Sequence, residues 1–373
     1  MSGQVWAHVG QPFESIHYDL VVVGAGRMGA ALARSLRELS PQFSLLLAEE
    51  GGLPNEEGAT ILAPGVWHAD VPPGQSARAE ETRALLGDAL NVCGLLDLST
   101  EAREGFPSVA EVWTPELAAL IDPGVLPFAR LDRRAGTYSA GSITLADANA
   151  AIASGADLML NVRAELCGTG ADGLAADGVA QVRLHRLSVT NMHEVIVAQS
   201  VMVTAGRLIV AAGAAGPSLV EAGLGLVTPH RTAYRQTPRL EVGSTPSSPV
   251  LRHAGLLLRP RDGGYTVVPP IPHPDPWGYV PTGGRLVGVP VGLRRETLDA
   301  LLDRMDGLSA LAGEGLVPGR SIADIPGAWI ALPDGGWPLW QRLGAAHWLL
   351  LGGEHADLTG LSVARELAVE LAG

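Results

Sequence analysis

The sequence predicts an α/β protein in which a Rossmann-type dinucleotide-binding domain carries an inserted β-rich antiparallel domain. Three observations predict it. An apolar run at 19–23 ends in G-x-G-x-x-G at 24–29 and passes straight into helical spacing. A second apolar run at 207–212 also ends in small residues, Ala211-Ala212-Gly213. Between 227 and 291 the texture changes to short β-like segments broken by Pro and Gly, before an apolar run returns at 348–351.

The elements follow in order. Residues 19–23 read as a buried parallel strand, because an unbroken apolar run needs cover on both faces. Met28, Leu32, Leu36 and Leu39 recur at helical spacing, and Ser40-Pro41 stops that helix. Residues 43–48 form the second strand, with Glu49 at its carboxyl end, which completes a βαβ unit. Residues 50–74 are Gly- and Pro-rich loop, 77–96 are helical, and 107–132 are mixed. A short helix is expected over 145–154, then strands near 158–166, 179–187 and 194–203. The strand 207–212 precedes a helix from 213 to 222. Beyond it, strands are expected at 239–242, 251–259, 265–268 and 285–289, with a proline-laden loop over 269–284. A helix at 294–311, the strand 348–351 and a helix at 358–371 close the chain.

Composition narrows the function. The chain has 373 residues, enough for two structural units, with 47% apolar and only 17% charged residues. A net charge of −13 argues against nucleic acid or an anionic membrane, since like charges repel. All 26 basic residues are arginine. Without lysine there is no Schiff-base pyridoxal enzyme and no Walker A loop. Two cysteines, Cys93 and Cys167, make neither a disulfide framework nor a zinc cluster, and a reducing cytoplasmic setting is expected. They read as core residues. No run reaches the length of a membrane span, and residues 1–17 read as a leader to the first strand. His347 and His355 lack the clustered partners that a metal needs, so no metal is expected.

The glycine motif carries the chemistry. Gly24 permits a tight turn, Gly26 lets backbone approach a diphosphate, and Gly29 lets helix and strand pack closely. The helix N-terminus behind Ala25, Arg27 and Met28 offers N–H groups and partial positive charge to that anion. Glu49, twenty positions past Gly29, is placed to accept bonds from the adenosine ribose. FAD and NAD both use such a unit. The order βαβ, then three β-like runs, then a strand ending in Ala-Ala-Gly favours FAD.

On residues 18–49, 206–216 and 349–371 the sequence resembles the FAD-dependent amine and amino-acid oxidase family, which includes D-amino-acid oxidase, glycine oxidase and sarcosine oxidase. The resemblance implies a glutathione-reductase-like FAD domain built from 1–66, 138–224 and 326–373. The substrate domain would then comprise 67–137 and 225–325. The segment 58–65 (GATILAPG) looks like the small-residue stretch that lines pyrophosphate and flavin in the family, and 352–359 (GGEHADLT) looks like its C-terminal turn. There a helix N-terminus faces the flavin pyrimidine edge and favours negative charge on it. Beside the motif residues and Glu49, the resemblance implies cofactor contacts at Glu50, Thr60, Ala63, Ala164, Ala212 and Gly213. At the C-terminal turn it implies Gly353, Glu354, His355, Ala356, Asp357, Leu358 and Thr359. Leu62 occupies the position where some relatives attach flavin through histidine, and His68 lies beyond it, so FAD is expected to be non-covalent.

The departures concern substrate. The family's Trp-x-Gly-x-Arg-Pro, whose arginine clamps a substrate carboxylate, is replaced by Trp329-Ile-Ala-Leu-Pro. His355 stands where glycine oxidases carry a second arginine, and Asp357 where the family prefers glycine. Neither substitute reproduces a bidentate arginine. Arg259, Arg261, Tyr265 and Tyr279 lie in the region that builds the family's substrate pocket. Arg259, Tyr265, Trp329 and His355 are the substrate candidates. Trp337 and Trp340, with Trp329, are expected to border the flavin. No catalytic residue stands out. The expected reaction is flavin-dependent oxidation of a small amine, amino acid or related C–N or C–O substrate, with oxygen or an electron-transfer partner as acceptor. The alternative is an FAD-binding protein without amine oxidation, acting as a structural or regulatory module.

Overall fold

The computed structural model describes residues 2–56, 58–111, 121–167, 179–241, 243–271, 295–302, 304 and 327–373. The chain opens with β1 (Val5–Trp6), β2 (His17–Val23), α1 (Arg27–Leu39) and β3 (Leu45–Ala48). It continues through β4 (Val66–Trp67), α2 (Ser76–Leu86), β5 (Leu95–Ser99), β6 (Phe128–Asp132) and β7 (Gly136–Thr137). Then come α3 (Ala140–Ala153), β8 (Asp157–Met159), β9 (Val162–Leu166), β10 (Ala180–Val189), β11 (Val195–Val210) and α4 (Gly216–Leu224). The next stretch holds β12 (Arg231–Gln236), β13 (Arg239–Leu240), β14 (Val250–His253), β15 (Leu256–Arg261), β16 (Gly264–Val268) and α5 (Arg295–Leu302). It ends with β17 (Gly327–Leu332), β18 (Leu339–Arg342), β19 (His347–Leu351) and α6 (Ala356–Ala372).

The main sheet is parallel through β1, β8, β3, β2, β11 and β19, and β18 closes it antiparallel. Strand alternation splits its apolar residues between two cores. Leu20, Val22, Leu45 and Leu47 face α1 and α6, where Leu32, Leu36, Val363 and Leu367 meet them. Val21, Val23, Leu46 and Ala48 face the other way, onto Val182, Leu184 and Val203 of the β9–β10–β11 meander. Burial on both faces is why β2 and β3 read as unbroken apolar runs. The strands bring their carboxyl ends together at the first turn of α1, where an open α/β sheet takes its ligand.

A second sheet runs β13-β16-β15-β14-β5-β6, antiparallel except where β14 lies parallel to β5. Leu96, Leu98, Leu251, Leu258 and Val267 fill its core. The ribbon β12–β17 stands apart from both sheets. Among the described residues no helix is long and apolar enough to cross a membrane.

Several expected elements differ, among them the strand near 158–166, which is split into β8 and β9 at Asn161, a residue at positive φ. The helix expected over 77–96 stops at Leu86, because Gly87 caps it at positive φ, and Leu95–Ser99 pairs as a strand instead. The strands expected at 194–203 and 207–212 are one strand, β11. Gly206 joins them, since a side chain there would crowd the Asp19 carbonyl of the neighbouring strand. The strand expected over 251–259 is a hairpin, turned by Ala254 and Gly255, both at positive φ. Alanine is an uncommon residue for that conformation, so the turn gives no sequence signal. The helix expected from 145 begins at Ala140, capped by Ser139, whose side chain accepts the Ser142 N–H. The expected strand 285–289 and Tyr279 lie outside the described residues.

Candidate functional site

The glycine turn between β2 and α1 has the three roles its spacing implies. Gly24 adopts φ +101, and a Cβ there would sit 2.5 Å from the Ala211 carbonyl oxygen. A Cβ on Gly29 would sit 1.9 Å from the Gly24 carbonyl oxygen, so only glycine lets α1 press against the strand end. Gly26 is different. It has ordinary φ −65 at the N-cap, and its Cβ would meet only the Thr60 hydroxyl, at 3.3 Å. Backbone geometry does not require glycine at 26, and within the protein a Cβ there would press only on that flexible side chain.

Glu49 is buried against this turn. Its Oε2 accepts the Ala25 N–H at 2.7 Å, and Oε1 accepts the Asn55 amide at 2.8 Å and the Gly51 N–H at 3.1 Å. Oε2 keeps a further lone-pair direction. Glu50 turns outward and pairs with Arg163. Ala164 lies on β9, opposite Leu184, in the core between sheet and meander. Ala212 and Gly213 follow β11 directly, with Gly213 at positive φ. Thr60 reaches the start of α1, where its Oγ1 accepts the Arg27 N–H at 3.1 Å.

The small-residue stretch and the C-terminal turn meet at Asp357. Its Oδ2 accepts the Gly65 N–H at 2.6 Å, and Oδ1 accepts the Tyr138 hydroxyl at 2.9 Å and the guanidinium of Arg27. Both members of the Arg27–Asp357 pair are buried, at 5% and 6% side-chain exposure. Burial works against the Arg27 charge, but Tyr138 and Asp357 outweigh it and hold its pKa above the ordinary arginine value. Burial pushes the Tyr138 hydroxyl well up, so it remains a donor. The N-cap of α6 is His355, and Asp357 sits in the first turn with its carboxylate spent on Arg27. Its charge is therefore compensated.

At the same turn His355 stacks on Trp337, ring centroids 4.2 Å apart, and burial lowers its pKa so that it is neutral near pH 7. Glu354 pairs with Arg235 of β12 at 2.9 Å, and Arg235 is 6% exposed. Trp329 packs edge-on against Tyr234 across the β12–β17 ribbon. Trp340 packs on the core beside α6.

A cleft of about 280 Å³ lies beside this cluster, lined by Ile61, Ala63, Tyr138, Ser142, Leu145 and Arg259. Arg259 donates to the Tyr138 carbonyl at 3.0 Å and forms no ion pair among the described residues. Burial depresses its pKa, against the pull of Asp357. Thr266 stands opposite both Arg239 and Arg259 in adjacent registers, so the three share one sheet face. Arg261, two residues on, shares it too. Tyr265 points the other way, fully buried in the core of the second sheet, because its neighbours Thr266 and Gly264 alternate with it. It does not reach the cleft. A larger cavity, about 570 Å³, lies at Asp97, Arg130 and Arg252, where the charges are paired with one another.

Sequence reading missed Tyr138, Asn55 and Arg235. Tyr138 and Arg235 carry no local motif, and only packing brings them to α6. Among the described residues no group of three or more His, Cys, Asp and Glu side chains could hold a metal ion.

The residues fit FAD by their unmet hydrogen-bonding capacity. Arg27 Nε and Nη2, Arg259 Nε and Thr359 Oγ1 are buried without a hydrogen-bond partner among the described residues, all in the vicinity of the Gly turn, Tyr138 and the start of α6. The sequence profile of the family described as FAD dependent oxidoreductase (DAO) matches residues 19–349. No curated protein matches the chain. Among solved structures, glycine oxidase from Bacillus cereus aligns at TM-score 0.66 and 14% identity, covering 95% of this chain and 94% of that one. Glycine oxidase from Geobacillus kaustophilus aligns at 0.66 and 17%, covering 96% and 95%. L-amino acid deaminase from Proteus vulgaris aligns at 0.66 and 15%, covering 98% and 96%.

Proposed function

The chain belongs to the DAO family of FAD-dependent oxidoreductases, and from that premise we propose that it oxidises a small amino acid or related amine whose carboxylate is held by Arg259. When bound, FAD would supply a two-electron acceptor for hydride from the substrate, at flavin N5. The protein's part is to bind, orient and exclude water. In this reading Ala25, Arg27 and Met28 present the start of α1 to the diphosphate, with Gly26 giving it room, and Glu49 takes the ribose. Thr60, Ala63 and the turn Gly353–Thr359 border the flavin. Residues 1–66, 138–224 and 326–373 form the FAD domain, and 67–137 with 225–325 form the substrate domain. FAD is held non-covalently.

One observation carries the substrate assignment: Arg259 is a partly buried guanidinium on a cleft wall, and among the described residues its hydrogen-bonded partner is a backbone carbonyl. A buried cation without a counter-ion is costly, and a substrate carboxylate compensates it through paired N–H groups. Arg239 and Arg261 on the same face add to the attraction. This places the anchor on the second sheet, away from the two positions where relatives carry arginine.

The test is anaerobic reduction. Bleaching of the flavin absorbance by amino acids, but weaker bleaching by the corresponding amines without carboxylate, is the expected result. A purified flavoprotein that no amine, amino acid or hydroxy acid reduces would favour the FAD-binding module without amine oxidation.

A further inference from the structure

We infer that Arg27 is a side-chain ligand of the cofactor, supplying the buried cation of the FAD site, with Asp357 and Tyr138 as its positioning residues. The inference rests on the reading of the α1 N-terminus as the FAD site. In G-x-G-x-x-G the variable positions contribute backbone, and nothing in the motif asks for a charge there. Here the first helical residue carries a guanidinium at 5% exposure. A lone structural ion pair is a poor explanation for it, because burying two charges gains little over packing apolar residues of the same volume.

The hydrogen-bond accounting points to a ligand. Asp357 engages one guanidinium nitrogen, Nη1, while sharing its oxygens with Tyr138 and Gly65. Among the described residues, Nε and Nη2 of Arg27 are buried with no hydrogen-bond partner. The Tyr138 ring centroid lies 4.9 Å from the guanidinium carbon, within cation–π range. A guanidinium fixed at one nitrogen, with two others unmet, is pre-organised to donate to an anionic oxygen. Thr359 Oγ1, equally buried and unmet, stands one turn into α6. The cofactor's oxygens provide such acceptors, and the negative charge that the flavin gains on reduction would lie near a fixed cation. The Asp357 that replaces the family's glycine is then the counter-ion that allows an arginine at position 27.

The experiment compares the holoprotein with Arg27→Met/Asp357→Leu, which removes both charges and leaves neither orphaned. Arg27→Lys is the second variant, keeping the charge against Asp357 but not the planar N–H pair. Read-outs are FAD per polypeptide, FAD dissociation constant by fluorescence titration, and flavin midpoint potential. The inference expects the double variant to fold but bind FAD at least tenfold more weakly, with a more negative potential. It expects Arg27→Lys to fall between. Wild-type affinity and potential in either variant would overturn the role of Arg27 while leaving the FAD site in place. A wild-type protein that retains no FAD would overturn both.

Discussion

Arg27 and Asp357, 330 positions apart, form a buried ion pair that ties the first residue of α1 to the first turn of α6. The two helices pack side by side against the main sheet, so the pair closes the molecule's first and last segments around one point. Removing one partner leaves the other charge buried. Asp357→Asn is therefore expected to cost about 3–5 kcal/mol. Thermal or urea unfolding checks it, and the Arg27→Met/Asp357→Leu double variant should be more stable than either single one.

The glycine motif separates folding from binding. Gly26→Val is compatible with φ −65 and meets only the Thr60 hydroxyl, so the protein should fold and lose its FAD. Gly29→Ala drives a Cβ into the Gly24 carbonyl and should destabilise the fold by about 1–3 kcal/mol or more. Flavin content of the soluble protein and its unfolding midpoint distinguish the two. Full stoichiometric flavin in Gly26→Val would refute the placement of the diphosphate.

Arg259→Met should raise KM for a carboxylate-bearing substrate by about tenfold or more, in line with loss of a charged hydrogen bond. It should leave the KM for an amine lacking the carboxylate unchanged. Equal effects on both would show that the residue shapes the cleft without binding substrate charge.

His68 offers a pH test. Burial and the nearby Arg252 lower its pKa to about 4. An unfolded histidine titrates near 6.5, so both states are neutral at pH 7. As pH falls from about 6.5 to about 4 the unfolded chain takes up a proton that the folded protein refuses. Stability should thus drop by up to about 1.4 kcal/mol per pH unit in that window. His68→Leu should show a shallower loss between pH 7 and pH 5 by denaturant unfolding. An identical pH dependence in the two proteins would contradict the assignment.

Local order was legible in the sequence where a single segment makes its own case. The run Val21–Val23 with Gly24, Gly26 and Gly29 announces strand, turn and helix, because buried parallel strands are apolar and the turn leaves no room for a Cβ at Gly24 or Gly29. The hairpin at Ala254 and the continuity of β11 through Gly206 were not legible, since a turn formed by alanine and a glycine retained for a neighbouring strand look like their opposites. Tyr265 faces the core of the second sheet, which only the register of β16 decides.

By itself, then, the sequence determined the βαβ unit, the acid at Glu49 and the absence of lysine chemistry, all properties of contiguous residues and composition. Only the tertiary structure decided which charges meet. Arg27 finds Asp357 and Tyr138, Arg235 finds Glu354, and Arg259 turns to the cleft without a carboxylate. The physical reason is that strand order and helix packing, not chain separation, set the few ångströms over which a buried charge is compensated or left for a ligand.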